Sequence, residues 1–403
     1  MRILIVLAAC ALMSVVAGCG SSDKSTTPVD PGGAELLAQQ GDQALLDGDY
    51  AAANAHYKSA LTKDPSHERA NLGAAVTELA LLESDPEITP YVEPLLPVPQ
   101  RGMNLLRGPA PTRASALVNR QQYGPMLVGR VMGRLVMQGT SDPLILSEIQ
   151  DVIRRRVLPR LIYAEARLDR LELDPNFSLL LSPEMTGSPD TIEVDLGEIR
   201  MLDAFVNVIE GWLGIAVAYN FDFPEPSELV PVDSLLASGT AFGKLNSGGS
   251  TFLSSARLDF LAAHSELHAA AAYIEAETDD QANDAIPLAA IQDPDFDAVL
   301  AEFDNVQTSL TGPVDVVVQD YTGADMTIQV QMGNFFTTPI VDWKQKLPNH
   351  TFDPGTGEPI LDNPVTFPDP KFNNIFPNLT NAVWQQLIGP VASPAMATHA
   401  PRR

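Results

Sequence analysis

His264 and His268 are the residue pair in this sequence best placed to hold a metal ion. Histidines four residues apart share one face of a helix, where both imidazoles can reach the same ion. In the zinc-peptidase pattern, a glutamate directly follows the first histidine. Glu266 instead lies two residues from each histidine, about 200° round the helix, and points away from a shared site. With no third ligand evident nearby, we predict a partly exposed pair and no metal centre.

Asp293, Asp295 and Asp297 follow the spacing that opens an EF-hand calcium loop. Such a loop continues with Gly at its sixth position and Glu at its twelfth, where this chain has Ala298 and Asp304. The helical pattern that starts near Asp297 indicates instead that these aspartates cap a helix. Calcium binding of another type stays an alternative at two further acidic clusters, Asp279, Asp280 and Asp284, and residues 353–362.

Motifs for covalent or phosphate chemistry are absent from the sequence. It has no Gly-x-Ser-x-Gly, and neither Cys10 nor Cys19 is left as a free thiol if the N-terminal segment is processed as an export signal. The Gly/Ser-rich residues 246–250 lack the Gly-Lys-Ser/Thr that ends a phosphate-binding loop. No spacing marks out a carboxylate pair for glycoside cleavage. We therefore predict a protein that is not an enzyme and has no cofactor, with calcium as the open alternative.

Charge is distributed unevenly along the 403 residues, which carry 25 basic and 51 acidic side chains. A net charge of −26 argues against binding to nucleic acid or to anionic lipid. Residues 101–170 nevertheless contain 12 arginines and five acidic residues, whereas residues 171–403 contain eight basic and 33 acidic residues. This contrast predicts an electrostatic fit between these two halves of one fold; a basic face for an acidic partner is the alternative.

The N-terminus has the pattern of an export signal. Arg2 precedes an almost unbroken apolar run, residues 3–16, which is too short for a membrane-spanning helix. Residues 16–19, Val-Ala-Gly-Cys, resemble the bacterial lipobox. This resemblance implies removal of residues 1–18, acylation of Cys19 and anchoring to a membrane; an ordinary secretory signal cleaved nearby is the alternative. Gly20, where an aspartate would signal inner-membrane retention, implies the outer membrane.

Residues 34–85 are rich in Ala, Leu and Gln and predict helices. A turn at Tyr50 precedes Ala53, Tyr57 and Ala60 on one helix face, and an Asp-Pro pair at residues 64–65 closes the helix. Small residues allow close helix approach, while an aromatic ring fills the groove between them. The order resembles the second helix of a tetratricopeptide repeat.

This resemblance covers about one and a half repeats, with a second repeat beginning near Glu68. It departs from the pattern at Asn71, where a large apolar residue is expected. Since about three repeats are normally needed for a free-standing array, the hairpin must pack against the next part of the chain. A generic helical hairpin is the alternative. The resemblance implies partner binding through Tyr50, Ala53, Tyr57 and Ala60.

Further elements are predicted from periodicity and turn residues. An apolar stripe recurs every four residues within a helix predicted over residues 143–173. Its members are Ile145, Ile149, Ile153, Val157 and Leu161. Beyond it we predict strands at 177–181 and 191–195, a core helix at 197–221 containing Trp212, and helices at 113–137, 252–277 and 297–310. We also predict a hairpin of 314–318 with 326–332, a loop or a small ordered extension at 349–370, and a helix at 381–388 capped by Thr380 and packed through Trp384.

The sequence as a whole predicts a mostly α fold, in which tetratricopeptide-like hairpins continue into a larger helical body with small β-hairpins. The predicted divisions are a signal peptide (1–18), a flexible tether (19–33), the repeats (34–85), a helical body (86–225), a helical and β region (226–389) and a disordered tail (390–403). We expect a lipid-anchored protein of the cell envelope that acts as a non-catalytic scaffold for another envelope protein or a peptide. Capture of a glycan, nutrient or calcium by the acidic C-terminal half is the alternative.

Overall fold

The structure is a computed structural model that describes residues 29–88, 146–186, 189–222, 236–237, 239–278, 283–353, 355 and 359–389. The predicted signal peptide, Cys19, the helix at 113–137 and the tail from 390 lie outside the described residues. Within them the chain is mostly helical, with small two-stranded antiparallel sheets, as predicted. The tether predicted to end at residue 33 gives way to helix at Pro31, which is favourable at a first helical position.

Three helices form the N-terminal hairpin region, each with a side chain that caps its first turn. Asp30, Asp49 and His67 accept hydrogen bonds from backbone N–H groups in the first turn of the helix that each precedes. Gly48 closes the first turn with a positive φ of 78°, which glycine adopts without steric strain. The helices are α1 (Pro31–Leu46), α2 (Tyr50–Lys63) and α3 (Glu68–Ser84).

Tyr57 fills the space between the three helices, as the sequence predicts. Its side chain is 1% exposed and is surrounded by alanines of α1, α2 and α3 that are fully buried. Gly41 of α1 and Gly73 of α3 lie against its ring, and a Cβ added at either position would come closer than 3.0 Å to ring carbons. The glycines and alanines therefore set the distance at which α1 and α3 approach α2.

Hydrogen bonds of the Asn71 side chain account for an amide at a position where the repeat pattern has a large apolar residue. Its side chain is buried in α3, and its Nδ2 donates hydrogen bonds to the carbonyl oxygens of Pro65 (3.2 Å) and His67 (3.1 Å). The amide closes the α2–α3 turn where an apolar side chain would leave these carbonyls without that donor.

The helix predicted over residues 143–173 contains a π-helical segment, Ile153–Val157, between α4 (Leu146–Val152) and α5 (Leu158–Glu172). A spacing of four residues drifts by about 40° per step around an ordinary α-helix. The wider π turn absorbs this drift, so Ile153, Val157 and Leu161 are all buried. After Leu161 the buried positions return to α-helical spacing.

Helix α5 packs against α3 and continues the hairpin into the body. Tyr163 of α5 lies against the hairpin core, with the Lys58 ammonium 4.5 Å from the centre of its ring. Arg160 donates to Glu78 of α3 (2.9 Å), whose other oxygen pairs with Lys58. The hairpin thus buries its open side against α5, as the shortness of the repeat region predicts.

Two long helices and a small sheet complete this part of the body. Strands β1 (Ser178–Leu181) and β2 (Ile192–Asp195) pair antiparallel, as predicted, with a helical turn, α6 (Pro183–Thr186), between them. Helix α7 (Leu196–Ala218) comes next, and α8 is Gly249–Ala276. Among the described residues, α7 is the one helix long and apolar enough to cross a membrane by length and composition. Most of its apolar window is buried, which confirms the predicted core helix.

The prediction that Trp212 is a core residue is wrong. Its side chain is 51% exposed and packs edge-on against Phe260 of α8, with ring centroids 5.6 Å apart. The interior face of α7 is occupied by other residues, including Asp203, Asn207 and Glu210. Polar residues hold positions that the sequence pattern assigns to large apolar ones.

The C-terminal elements match the predictions closely, with one addition. Thr380 caps the last helix through its hydroxyl oxygen, which accepts from the Val383 N–H, and Trp384 packs among phenylalanines and donates to the Pro370 carbonyl at 2.8 Å. The stretch predicted as loop or a small ordered extension contains a third strand pair. The elements are α9 (Leu288–Ile291), α10 (Pro294–Thr311), β3 (Val314–Gln319), β4 (Asp325–Val330), α11 (Gly333–Thr337), β5 (His350–Phe352), β6 (Pro359–Leu361) and α12 (Asn381–Ile388).

The described chain divides into two compact units, each assembled from separate stretches. One contains residues 29–88, 148–214 and 258–302, and the other contains residues 146–147, 215–257 and 303–389. This division differs from the predicted boundaries at residues 86 and 226. The second unit has a cluster of aromatic side chains in which Trp343, Tyr219 and Phe335 pack against one another, with ring centroids 6.0–6.3 Å apart.

Gly73→Ala is expected to destabilise the protein by roughly 1–3 kcal/mol, because the added methyl group forces the Tyr57 ring from its site. Gly32→Ala is the matched control, since no atom lies within 4 Å of the added Cβ and alanine favours helix. Urea unfolding followed by circular dichroism measures both changes. Equal stability of the two variants would contradict the packing described for Tyr57.

Candidate functional site

The four residues that the repeat resemblance assigns to partner binding occupy two environments. Ala53, Tyr57 and Ala60 are buried inside the hairpin, where they shape the packing of α1–α3 and cannot touch a partner of the folded protein. Tyr50, at the first position of α2, is half-buried and accessible. Of the four, Tyr50 alone is placed to contact another molecule.

Tyr50 lines an open hollow at the α1–α2 turn. Asp47 and Asp49 contribute carboxylates to this hollow, and Leu81 contributes an apolar side. The Asp49 side chain also accepts from the Ala52 N–H at 2.9 Å, which fixes its position. The remaining lining residues are Gly48, Ala51 and Ser84.

A polar network also ties the three helices of the hairpin together. The Tyr57 hydroxyl donates to Asp42 at 2.7 Å, and Arg69 donates to the other Asp42 oxygen at 3.1 Å. Burial, followed by the hydrogen bond to Asp42, raises the pKa of Tyr57, so its hydroxyl remains a neutral donor. His67 and Arg69 of the α2–α3 region also face Glu35 of α1.

The arginines near the π-helical segment pair with carboxylates of the hairpin region. Arg155 lies 3.3 Å from Glu87, Arg156 contacts the same carboxylate, and Arg160 lies 3.5 Å from Asp85. These arginines therefore form ion pairs within the fold. Their partners lie in residues 78–87, together with Asp151, which is 2.7 Å from Arg155. None of these partners is in the acidic sequence beyond residue 170, so the predicted pairing between the two halves is wrong for these arginines.

The histidine pair on α8 has the geometry expected from its spacing. The rings of His264 and His268 are half-buried, with centroids 4.6 Å apart. Glu266 points toward α7, where its carboxylate lies 3.8 Å from Arg200. This confirms that Glu266 does not face a site shared by the histidines.

The predicted calcium-loop aspartates act at a helix terminus. Asp293 accepts a hydrogen bond from the Asp295 N–H at 2.9 Å, and α10 begins at Pro294, three residues before the predicted start. Of the alternative calcium clusters, Asp279 and Asp280 lie outside the described residues, and Asp284 is buried beside β2. Asp353 accepts from the Gly355 N–H at 2.7 Å within its own turn.

A row of acidic residues between α5, α7 and α8 is not evident from the sequence. Each helix presents polar side chains at intervals of three, four or seven residues, which places them on one face. The row, named here the carboxylate cluster, consists of Glu165, Asp169 and Glu172 of α5, Asp203, Asn207 and Glu210 of α7, and Asp259 and Glu266 of α8.

The α7 residues of the carboxylate cluster are the most deeply buried. Asp203, Asn207 and Glu210 are 3%, 1% and 6% exposed. The Asn207 Nδ2 donates to the Asp203 side chain and to the Asp203 carbonyl oxygen, both at 3.1 Å. Asp203 Oδ1, Asn207 Oδ1 and Glu210 Oε1 are buried and accept no hydrogen bond within the described part of the chain.

Burial and mutual repulsion raise the pKa values of the cluster. Burial, then Glu165 and other acidic neighbours, raises the pKa of Asp203 to about 9. The pKa values of Glu165 and Asp259 rise to about 7, mainly through burial. The pKa of Glu210 rises well above its usual value through burial and the charges of Glu165 and Asp259. These carboxyl groups therefore resist ionisation together.

Arg200 is the cation that closes one end of the cluster. Its Nε lies 3.7 Å from Glu172 and 3.8 Å from Glu266. Burial and the adjacent Glu266 carboxylate nevertheless raise the pKa of Glu172 to about 8, with Arg200 opposing them. Arg200 thus pairs with Glu172 and Glu266 at one end of the cluster, while Asp203 and Glu210 have no ion pair among the described residues.

Comparison of the chain with models of protein families, with curated proteins and with solved structures finds no match. The function proposed for the chain therefore rests on its own residues and geometry.

In buffers that contain EDTA, the protein is expected to be several degrees more stable to heat at pH 5.5 than at pH 8.5. Unfolded carboxyl groups titrate near pH 4, whereas Asp203, Glu165, Glu172 and Asp259 titrate near 7–9 in the folded state. Between these limits the folded state holds protons that the unfolded state has released. Stability therefore falls as the pH rises through the folded-state pKa values. Melting followed by circular dichroism from pH 5.5 to 9 measures the slope.

The double variant Asp203→Asn/Glu210→Gln should have a flatter pH dependence, because amides do not ionise. Glu302→Gln, at an exposed position of α10, should keep the wild-type slope. The charged groups that act on the titrating pair are Glu165, Asp169, Glu172, Asp259 and Glu266. The guanidinium groups nearby act on other members of the cluster, Arg167 on Asp169 and Arg200 on Glu172 and Glu266. A wild-type stability that stays level or rises over this range would contradict the assignment.

Proposed function

We propose that this protein is a lipid-anchored scaffold of the bacterial cell envelope, which binds another envelope protein or a peptide without catalysis. The observation that carries the proposal is the hairpin of α1–α3, a tightly packed helical unit whose outer surface presents Tyr50 beside an open hollow. Its apolar core is internal, so this surface can engage a partner without rearrangement of the hairpin.

Attachment of the hairpin to α5 suits a scaffold. Arg155, Arg156 and Arg160 hold the acidic end of the hairpin region, and Tyr163 packs into its core. Rigid placement lowers the entropic cost of binding, because the contact surface is already ordered. Because short helical repeats serve many processes, the proposed partner is identified by its location in the cell envelope and not by the type of hairpin.

The surface of the hairpin also offers apolar contacts. Leu36 of α1 is 57% exposed and Val76 of α3 is also exposed. The hollow itself combines the Tyr50 ring and Leu81 with Asp47 and Asp49, which suits a partner segment with apolar side chains and hydrogen-bond donors. Acylation at Cys19, followed by a polar linker up to residue 30, would hold this surface near the membrane.

Photo-crosslinking tests the contact surface in the source bacterium. The change Tyr50→p-benzoylphenylalanine should give a discrete adduct with one envelope protein or peptide upon irradiation. The matched control is the same change at Tyr321, a tyrosine 58% exposed in the β3–β4 turn. Adducts at Tyr50 that do not exceed those at Tyr321 would contradict binding through the hairpin surface.

Metabolic labelling with an alkyne-tagged fatty acid tests the lipid anchor. Cys19→Ser should abolish both labelling and sedimentation with membranes, since that thiol is the proposed acylation site. Cys10→Ser is the matched control and should leave both unchanged, because Cys10 lies in the segment removed on export. Labelling that survives Cys19→Ser would refute acylation at Cys19 while leaving the scaffold surface to the crosslinking experiment.

A further inference from the structure

Acidic side chains of α5, α7 and α8 lie close to one another in the carboxylate cluster. Helix α7 places Asp203, Asn207 and Glu210 on one face, at successive spacings of four and three residues. Helix α5 repeats this spacing with Glu165, Asp169 and Glu172, and α8 contributes Asp259 and Glu266 seven residues apart. Three helices thus direct oxygen atoms toward a common interior.

We propose that the carboxylate cluster binds a hard divalent cation, Ca²⁺ or Mg²⁺, between α5, α7 and α8, with Asp203, Asn207 and Glu210 as its innermost oxygen donors. This inference is independent of the scaffold function. It also concerns residues other than the three aspartate groups considered from the sequence.

The buried oxygens without hydrogen bonds carry the proposal. Glu210 Oε1, Asp203 Oδ1 and Asn207 Oδ1 are inaccessible, and within the described residues no donor reaches them. Buried acceptors are nearly always satisfied, because an unpaired one costs free energy. The Asn207 amide is directed at the cluster, since its nitrogen bonds the Asp203 carboxylate. Glu210 faces Glu165, Asp203 and Asp259, the groups that dominate its electrostatic surroundings.

The donor chemistry selects the class of ion. Carboxylate and amide oxygens suit Ca²⁺ and Mg²⁺, while zinc and copper prefer nitrogen and sulfur ligands. The cluster offers oxygen donors, and Glu266 turns toward it from the opposite side of α8 to the histidine pair. A divalent ion would be attracted by several carboxylates at once, whereas Arg200 reaches only Glu172 and Glu266.

The cluster is open at one side, so an ion can enter. Asp169 is exposed, and Glu165 and Asp259 are half-buried, whereas Asp203 and Glu210 lie deeper. Acidity therefore extends from the surface to the interior along the face of α5. Such a gradient concentrates cations at the opening and provides successive oxygen donors inward.

Isothermal titration calorimetry of the full chain, stripped of metal with EDTA and kept in detergent, tests the proposal. CaCl₂ and MgCl₂ are titrated separately at pH 7.5, with KCl at matched ionic strength as the blank. We expect saturable binding of one of the two divalent ions near one equivalent per chain. We also expect the bound ion to raise the melting temperature.

Variants locate the site. Asp203→Asn/Glu210→Gln should weaken binding at least tenfold, and the exposed Glu302→Gln should leave it unchanged. Asn207→Asp adds a carboxylate, so it should tighten cation binding while lowering the melting temperature of the metal-free protein. A purely structural role for Asn207 would give the second effect without the first.

Three results would overturn the proposal. The first is the absence of saturable binding of either ion to protein that is folded by circular dichroism. The second is binding that persists unchanged in Asp203→Asn/Glu210→Gln, which would place the ion elsewhere in the acidic sequence. The third is unchanged binding in Glu165→Gln, a half-buried position that decides the question if the double variant does not fold. Each arm reads cation binding, so none depends on the identity of a protein partner.

Discussion

The Tyr57 ring determines how this part of the molecule is assembled, because α1 and α3 can approach α2 only as closely as its two faces allow. Gly41 and Gly73 remove the side chains that would obstruct the ring, and Asp42 satisfies its hydroxyl. Once α3 is fixed, Glu78 is available to Lys58 and to Arg160. These contacts orient α5, and α5 in turn presents Glu165 to α7 and α8.

Opposite faces of α5 therefore have different roles. Arg160 and Tyr163 bind the hairpin with compensated charge and aromatic packing, while Glu165, Asp169 and Glu172 belong to a cluster of carboxyl groups that resist ionisation. The proposed scaffold surface and the proposed cation site are joined through this one helix. A cation that stabilised the α5–α7–α8 interior would also stabilise the support on which the hairpin rests.

Local signals in the sequence account for most helices, two strand pairs and the caps. Thr380 before α12, the small residues around Tyr57 and the alternating β3–β4 residues each act through neighbours a few positions away. The carboxylate cluster cannot be found in this way, because α5, α7 and α8 are separated in sequence and their pairing is a tertiary property. In the sequence, Asp203, Asn207 and Glu210 are polar interruptions of an apolar helix. Asp203 and Glu210 are seven residues apart, with Asn207 between them, and this spacing is the available signal that the three share one face of α7. Because these residues occupy the interior face, Trp212 lies on the outer side of the helix.

The π-helical segment at Ile153–Val157 acts as a rotational adjustment within one continuous helix. Each residue added to or removed from a helix turns everything beyond it by about 100°. The wider π turn lets α4 and α5 direct their buried faces differently around the helix axis, although no loop separates them. The same segment bears Arg155 and Arg156, which are anchored to Glu87, so the adjustment is made where the helix is held. The insertion or deletion of a residue before this segment can be accommodated within the π turn. The face of α5 that contacts the hairpin and the face that bears the acidic residues then keep their orientation.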